Sequence, residues 1–377
     1  MTDAARAAPG PIARRMLGAT GLAITELGLG TAPLGNLYQP VGDDIARATL
    51  AAARSAGMNH IDTAPHYGRG LSERRVGDAI RAAPDMVLST KVGRLLHPDR
   101  SVVDDRLRDG FRSPMPFAAR YDYSHDGILR SHEDSLQRLG LASVDILYVH
   151  DIGRVTHGDA HERYWAQLTT GGGLRALERL RDEGTIAGFG IGVNEVDACH
   201  DVMRAAKLDA ILLAGRYTLL EQGALDRLLP ACAAAGTSIV VGGPYNSGIL
   251  ATGTGRRGPC RYDYGPAPAT VVDRVAAIEA TCARHGVPLP AAALAFVLAH
   301  PQVAGVIPGI ASPEQVARTV ALYHHPIPAA LWQELRATGL IRADAPVPAD
   351  MDRARGARAA TEPHRRHAAS ARANPPR

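Results

Sequence analysis

Four polar residues in the first half of the sequence have the side-chain types needed to move a proton: Asp62, Tyr67, Lys91 and His150. A buried lysine ammonium beside a tyrosine stabilises the phenolate, which predicts a tyrosine pKa below its usual value of about 10. An aspartate would keep the lysine charged and in place, and a histidine can orient a substrate oxygen. Such a set can protonate an alkoxide or deprotonate an alcohol, as hydride transfer involving a nicotinamide requires.

Lysine is almost absent from the chain, and this scarcity draws attention to Lys91. Of 42 basic residues, only Lys91 and Lys207 are lysines. A lysine offers a compact ammonium with an adjustable pKa, which arginine does not. Neither lysine precedes Ser or Thr, and neither follows a tyrosine by four residues. The chain therefore lacks a Walker A phosphate loop and the Tyr-x-x-x-Lys pair of short-chain dehydrogenases. Each of the four candidate residues also has an ordinary structural explanation. Lys91 could lie on a solvated helix, Asp62 could cap a helix, Tyr67 could be a packed aromatic residue and His150 a core histidine.

Short apolar runs rich in β-branched residues alternate with longer segments of helical period. The predicted strands are Glu26–Leu29, Asn59–Asp62, Met86–Thr90, Asp145–Val149, Ala187–Val193, Ala210–Ala214, Thr237–Val241 and Ala304–Ile307. The predicted helices are Asp44–Ala56, Ser72–Arg81, Gly127–Leu139, Leu174–Arg181, Val196–Ala206, Gly223–Ala235, Thr270–His285 and Pro313–Leu322. Eight such units predict a single α/β domain, a (β/α)8 TIM barrel over residues 13–340. A doubly wound sheet with a second domain is the alternative, but no linker-like break precedes residue 340.

The predicted barrel would bring the four polar residues to one rim. Asp62 ends the second strand, Lys91 follows the third and His150 follows the fourth, with Asn194 after the fifth. Active sites of (β/α)8 barrels lie at the carboxyl ends of the strands. The joint placement of these residues is therefore more informative than any one of them.

Three further segments surround the predicted barrel. Ala13–Ile24 is expected to form a hairpin that plugs the bottom. The long loops Gly93–Asp126 and Leu250–Ala269, after the third and seventh strands, are expected to form pocket walls. Residues 341–377 are rich in Arg, Ala and Pro, which predicts disorder. This tail carries eight arginines against four acids, which accounts for the whole net charge of +4 and leaves the body neutral.

Composition excludes several classes of protein. The four cysteines lie at least 22 residues apart, so we expect no disulfide framework and no zinc site, and a cytoplasmic location. No apolar run approaches the roughly 18 residues of a membrane span, and the N-terminus lacks the apolar stretch of a secretory signal. We predict a small-molecule substrate and no nucleic-acid, membrane or metal partner; the oligomeric state stays open.

Several motifs together carry a resemblance to a known family. They are the run Gly57–Gly68, Ser89-Thr-Lys-Val-Gly93, Asp145–Asp151, Gly190–Asn194 and Ile307-Pro-Gly309. In this order, over Leu17–Leu322, the sequence resembles the aldo-keto reductase superfamily. The resemblance implies that Asp62, Tyr67, Lys91 and His150 form the catalytic tetrad, with Tyr67 as proton donor or acceptor.

Segments beginning at Lys91, Tyr121, Arg216 and Gly242 resemble one branch of that superfamily. It contains D-threo-aldose 1-dehydrogenases (L-fucose or D-arabinose dehydrogenases), L-galactose dehydrogenases and pyridoxal 4-dehydrogenases. The implied reaction is NAD(P)-dependent oxidation of the anomeric hydroxyl of an aldose to a lactone. A pyridoxal 4-dehydrogenase and an NADPH-dependent carbonyl reductase are the alternatives within the superfamily.

The last predicted unit bears on the cofactor. Superfamily members that prefer NADPH usually place basic residues after the eighth strand, because the 2′-phosphate needs charged partners. Gly309–Gln315 contains none and Arg318 follows one turn later, which favours NAD, with NADP possible. Gly242 stands where a tyrosine usually stacks on the nicotinamide, and Tyr217 or Tyr245 is the candidate replacement. The predicted cofactor-binding residues are Gly30, Thr31, Asn194, Tyr217, Gly242, Gly243, Gly309, Ser312, Gln315 and Arg318.

Two hypotheses from other classes remain open. Lys91 could act as the Schiff-base nucleophile of an aldolase-type barrel. Alternatively, the barrel could bind NAD(P) as a regulatory sensor with little turnover. Borohydride trapping with substrate would reveal a Schiff base on Lys91. Measuring the turnover rate would separate a regulatory sensor from an enzyme.

Overall fold

Eight parallel strands lie side by side in one sheet of the computed structural model, which describes residues 10–83, 85–255, 258, 260–348 and 350. All strands of the described residues, in chain order, are β1 (Arg14–Met16), β2 (Ala23–Thr25), β3 (Leu29–Gly30), β4 (His60–Asp62), β5 (Val87–Val92), β6 (Arg94–Pro98), β7 (Phe117–Tyr121), β8 (Ile146–His150), β9 (Gly188–Val193), β10 (Ala210–Ala214), β11 (Ser238–Gly242), β12 (Arg261–Tyr262), β13 (Gly265–Pro266) and β14 (Val303–Ile307). The order of the eight-stranded sheet is β3-β4-β5-β8-β9-β10-β11-β14. Three two-stranded sheets, β1–β2, β6–β7 and β12–β13, accompany it.

The sheet closes on itself between its first and last strands. Leu27 pairs with Val306 and Gly30 with Gly309, both in parallel. Gly30 N donates to Pro308 O at 3.0 Å. A Cβ on Gly30 would lie only 2.8 Å from Ile307 O, so glycine permits this close approach. The predicted (β/α)8 barrel is confirmed.

Helices cover the outside of the barrel and bury apolar residues at helical spacing. They are α1 (Asp43–Ser55), α2 (Leu71–Ile80), α3 (His125–Leu139), α4 (Arg154–His157), α5 (His161–Leu168), α6 (Gly173–Asp182), α7 (Val196–Ala205), α8 (Leu228–Ala235), α9 (Ile249–Thr252), α10 (Ala269–Arg284), α11 (Leu289–Leu298), α12 (Pro313–Tyr323) and α13 (Ala329–Ala337). In α1, for example, Ala46, Thr49, Leu50 and Ala53 form the buried face. Within the described ranges no single helix is long and apolar enough to cross a membrane. Among these residues, only α10 and α11 taken together have sufficient length and apolar content, and the two helices meet at a bend of 98°.

The predicted N-terminal hairpin is present as β1 and β2, with Arg15 paired to Ile24. Leu17 and Ile24 are fully buried in a cluster with Tyr148 and Val240 from the barrel strands. The hairpin thus closes the bottom of the barrel. Arg15 fastens it by donating to the carbonyl oxygens of Leu298, His300 and Val303 at 2.7–3.2 Å.

The two long loops are present and carry their own structure. Residues 93–126 contain the antiparallel pair β6–β7, and residues 250–269 contain β12–β13. Both follow barrel strands at their carboxyl ends, so they stand above the mouth.

Packing extends beyond residue 340, where the sequence predicted the barrel domain to end. Ile341, Ala345 and Val347 are buried, and Arg342 N donates to the Gln222 side chain at 2.8 Å. The predicted boundary is corrected on this point, because apolar residues continue past it. Residues 351–377, on which most of the predicted disorder falls, lie outside the described residues.

Candidate active site

Lys91 and Asp62 form an ion pair inside the mouth of the barrel. Lys91 Nζ lies 2.6 Å from Asp62 Oδ2 and donates to Thr63 O at 2.9 Å. Each side chain is only 2% exposed. Burial alone would lower the pKa of Lys91, but the Asp62 carboxylate and Tyr67 outweigh it and raise the pKa. The lysine is therefore a fixed positive charge.

Tyr67 lies directly beside this charge. Lys91 Nζ is 4.7 Å from the centre of the Tyr67 ring. Burial raises the pKa of Tyr67, and the positive charge of Lys91 offsets this only in part. The sequence predicted a lowered pKa for this tyrosine, and that prediction is wrong in direction because the desolvation of a buried phenolate outweighs the lysine. Tyr67 is therefore protonated at neutral pH.

His150 completes the group at the end of β8. Its ring is 6.2 Å from the Tyr67 ring and nearly perpendicular to it. Burial, followed by the nearby charges of Arg94 and Lys91, holds the pKa of His150 well below its usual range, so the ring is neutral. Nε2 lies 3.4 Å from Asp151 Oδ2. The four predicted residues Asp62, Tyr67, Lys91 and His150 thus lie together.

A buried hydrogen-bond network holds Asp62 in place. Ser89 Oγ donates to Asp62 Oδ1 at 2.8 Å, and His60 Nε2 lies 3.3 Å from the same hydroxyl. Burial and the charge of Lys91 lower the pKa of His60 to about 4. Thr31, which the sequence assigned to the cofactor, donates its hydroxyl to Asp62 O at 2.8 Å and is fully buried. The Thr31 side chain thus ties the end of β3 to β4, and its contact with the cofactor stays a prediction.

The mouth above the four residues is lined by side chains from the long loops. Phe111 packs against His66, with ring centres 5.2 Å apart. Tyr264, on the loop after β11, lies close enough to Tyr67 and Asp151 for their charges to affect its pKa. The expectation that both loops form pocket walls agrees with these contacts.

The predicted cofactor residues fall into two groups. Gly30, Gly242, Gly309 and Asn194 lie at or just beyond strand ends around the mouth, and Gly243 follows in a left-handed conformation (φ 55°). Tyr217 does not lie there: its ring is fully buried, 5.6 Å from both the Phe296 and His300 rings. The prediction that the Tyr217 side chain contacts the cofactor is therefore wrong, because the chain turns this ring into the core behind the barrel.

The amino end of α12 offers the remaining predicted contacts. Ser312 caps the helix by accepting from Gln315 N at 3.3 Å, and Gln315 Oε1 accepts from Ala311 N. Burial raises the pKa of Tyr245, and Arg318, exposed and one turn further on, lies near enough for its charge to oppose part of that rise. Tyr245 Oη is buried without a hydrogen-bond partner. The helix terminus, the exposed Arg318 guanidinium and the Tyr245 hydroxyl, which has no hydrogen-bond partner in the part of the chain that the structure describes, fit the phosphates and amide of a nicotinamide dinucleotide.

Three mouth residues were not identified from the sequence: His66, Arg94 and Asp151. Each lies within four residues of a predicted site residue, and Asp151 directly follows a strand, which could have identified it. Their side-chain directions depend on loop conformation, which periodicity does not report. Within the described ranges no group of three or more His, Cys, Asp or Glu side chains is arranged to hold a metal ion.

Chemically, the site can exchange one proton with a substrate oxygen. A neutral tyrosine beside a fixed ammonium is a proton donor whose conjugate base is stabilised by the lysine. A neutral histidine adds a hydrogen bond to the same oxygen. This arrangement at the strand ends of a barrel suits the interconversion of an alcohol and a carbonyl, in which the substrate oxygen loses or gains a proton.

The sequence profile of the Aldo/keto reductase family matches residues 26–339. The chain belongs to this family, and it is an oxidoreductase that acts on a CH–OH or carbonyl group with a nicotinamide cofactor. Pyridoxal 4-dehydrogenase of Microbacterium luteolum is 46% identical over 336 residues, covering 87% of this chain and 98% of that protein. D-threo-aldose 1-dehydrogenase of a Pseudomonas species is 42% identical over 327 residues, covering 86% and 96%.

Solved structures agree on the fold. Glycerol dehydrogenase of Gluconobacter oxydans superimposes with a TM-score of 0.67 at 22% identity, over 88% of this chain and 97% of that one. An aldo-keto reductase of Bacillus halodurans in its holo form gives 0.65 at 24% identity, over 89% and 98%. At this level of identity, the likeness shows the fold alone.

Proposed function

We propose that this protein oxidises the anomeric hydroxyl of a cyclic hemiacetal, in the first place an aldose of the L-fucose, D-arabinose or L-galactose type, to a lactone. The observation that carries the proposal is the Lys91 ammonium, buried between the Asp62 carboxylate and the Tyr67 ring. The relative at 42% identity is named for aldose oxidation. The same geometry also supports the reverse reduction of a carbonyl by NADPH.

In the proposed reaction, Tyr67 accepts the proton of the substrate hydroxyl as a phenolate. Lys91 stabilises that phenolate, and Asp62 keeps Lys91 charged. The Nε2–H of His150 donates to the substrate oxygen and holds it near Tyr67. A bound nicotinamide supplies the acceptor for the hydride that leaves the anomeric carbon.

The cofactor is proposed to be NAD. Between Gly309 and Gln315 no basic side chain is available to a 2′-phosphate, and Arg318 is the nearest candidate along the chain. Gly30, Thr31, Asn194, Gly242, Gly243, Gly309, Ser312, Gln315 and Arg318 remain proposed contacts. Comparing Kd for NADH and NADPH in wild type and Arg318→Ala tests this: tighter NADPH binding that is lost in the variant would contradict it.

The test of the reaction is absorbance at 340 nm with NAD+ or NADP+ and a panel of L-fucose, D-arabinose, L-galactose, D-glucose and pyridoxal. We expect NADH to form with one of the first three and not in Tyr67→Phe. Tyr323→Phe, which removes a hydroxyl bonded to Glu26 at 2.7 Å at the hairpin, is the matched control and should keep full activity. No turnover by protein that binds cofactor would refute the proposal.

A second candidate is the oxidation of pyridoxal, which also forms a cyclic hemiacetal. The relative at 46% identity is named for that substrate. Turnover of pyridoxal alone in the same panel would keep the chemistry of Tyr67 and change the substrate class.

The location is proposed to be cytoplasmic. All four cysteines lie within the described residues and are free, and three of them are buried. Fractionation of the native host cells with an antibody against the chain tests this, and recovery from the membrane or the medium would contradict it.

A further inference from the structure

Asp151 is held in an unusual position next to the reacting group. It follows β8 with a left-handed backbone (φ 48°), and its N–H donates to Gly192 O at 3.0 Å. This turn brings Oδ2 to 3.4 Å from His150 Nε2. The side chain is 24% exposed, so it is both fixed and open to the mouth.

Arg94 fixes the carboxylate from the other side. Its Nη2 donates to the same Asp151 oxygen, Oδ2, and its guanidinium lies 5.0 Å from the centre of the Tyr121 ring. Arg94 Nε is buried without a partner, and no hydrogen bond to Asp151 Oδ1 is found among the described residues. The Arg94 side chain is only 6% exposed, so it holds the carboxylate in place from the protein side, and Asp151 Oδ1 is the acceptor that is left for a ligand.

We propose that Asp151, held in place by Arg94, forms a subsite for a second hydroxyl, carried by the substrate atom next to the reacting carbon. The subsite rests on the proposed function. In the proposed reaction, His150 Nε2 contacts the substrate oxygen that loses its proton. The Asp151 carboxylate lies 3.4 Å from that nitrogen. A neighbouring oxygen on the substrate is the group that reaches it, because the oxygens of a vicinal diol lie about one hydrogen-bond length apart.

The subsite fits an aldose directly, because an aldose carries its 2-hydroxyl on the carbon next to the anomeric carbon. In pyridoxal the phenolic hydroxyl lies one atom further from the reacting carbon, on the ring carbon beside the one that bears the hemiacetal, so it does not meet this requirement. The Asp151 carboxylate can accept a charge-assisted hydrogen bond from the sugar hydroxyl. A substrate without this hydroxyl would leave the carboxylate at the mouth without a partner, which a site built for a hydroxyl penalises.

The experiment compares kcat/KM for D-arabinose and for 2-deoxy-D-ribose, which is D-arabinose without its 2-hydroxyl. Wild type should prefer D-arabinose by about tenfold to a hundredfold, as expected for a hydrogen bond to a charged group. Asp151→Gly keeps the left-handed backbone at no cost and should bring the ratio within about threefold of one. Asp151→Asn, which also tolerates this backbone, should give an intermediate ratio.

Asp109→Gly is the matched control, because Asp109 also has a left-handed backbone (φ 50°) and an arginine partner, Arg69 at 2.7 Å. It should keep the wild-type ratio. A structural defect would lower kcat/KM for both sugars equally, so the ratio separates recognition from folding.

The outcomes distinguish the subsite from the function it serves. Turnover of D-arabinose with an equal rate on the deoxy sugar, or an unchanged ratio in Asp151→Gly, would overturn the subsite and leave the dehydrogenase intact. If pyridoxal is oxidised and no aldose is, the subsite is overturned, because the phenolic hydroxyl of pyridoxal is not on the atom next to the reacting carbon. A wild-type enzyme that oxidises no hemiacetal would remove both proposals.

Discussion

Removing the charge of Lys91 should disable Tyr67 by an amount that the structure allows us to work out. Lys91 Nζ lies 4.7 Å from the Tyr67 ring centre. With an effective dielectric constant of about 20, this separation gives about 3.5 kcal/mol of attraction to a phenolate, or about 2.5 pKa units. Lys91→Met should raise the pKa of Tyr67 by that amount beyond its already raised value.

Oxidation requires the phenolate, so its rate should fall with the phenolate population. We expect kcat for hemiacetal oxidation at pH 8 to drop by about a hundredfold or more. The assay is NADH formation at saturating cofactor and substrate between pH 7 and 10, with thermal unfolding measured on the same samples.

A double variant separates this electrostatic effect from damage to the fold. Lys91→Met alone leaves a buried, unpaired Asp62 carboxylate, which should destabilise the protein by about 3–5 kcal/mol. Adding Asp62→Asn removes the unpaired charge and should restore most of the stability without restoring activity. If the double variant unfolds at the wild-type temperature and oxidises substrate within threefold of the wild-type rate, Lys91 does not activate Tyr67.

Three further outcomes are expected. Because burial raises the pKa of Tyr67, log kcat for oxidation should rise by about one per pH unit from pH 6 to 9. The rate of reduction, which uses the protonated tyrosine, should not change over this range. An oxidation rate that does not change with pH would contradict this prediction. Tyr123→Phe removes a hydroxyl that donates to His150 O at 2.7 Å. The free energy of unfolding, measured in urea, should fall by about 1–2 kcal/mol, and kcat should fall several-fold. The control variant Tyr164→Phe should keep the wild-type stability and kcat. Gly77→Ala places a Cβ 1.7 Å from Leu139 O and should lower the free energy of unfolding by about 3 kcal/mol. Gly223→Ala places its Cβ in open space and should lower it by less than about 1 kcal/mol. Equal stability of the two variants would refute the steric argument.

The alternation of strand and helix patterns in the sequence predicted the barrel. The positions of polar residues at or near strand ends predicted that Asp62, Tyr67, Lys91 and His150 lie together. The predicted strand Ala210–Ala214 is reproduced, and the other seven lie within a few residues of their predicted bounds. Helix α11 was missed because its residues are buried almost all round, so it has no polar face and no helical period to detect. The segment 223–235 was predicted as one helix but is divided into a 3-10 turn at Gly223–Leu225 and α8.

Side-chain environment was beyond the reach of the sequence. The direction of the Tyr67 pKa shift depends on how much burial opposes Lys91, and spacing along the chain gives no measure of burial. The core position of Tyr217 and the turn of Asp151 toward His150 depend on loop backbone conformation. Such angles are decided by tertiary contacts rather than by local residue preference.

The hairpin that closes the bottom of the barrel has a consequence for how the chain reaches its final form. Arg15 donates to carbonyl oxygens 283–288 residues further along the chain. During synthesis, this segment leaves the ribosome before the rest of the barrel, and its acceptors emerge among the last residues of the barrel. Until then, the apolar residues Leu17 and Ile24 lack the completed cluster that buries them. A segment made before the rest of the barrel is therefore among the last parts of it to acquire its native contacts, and its apolar side chains are exposed in the interval.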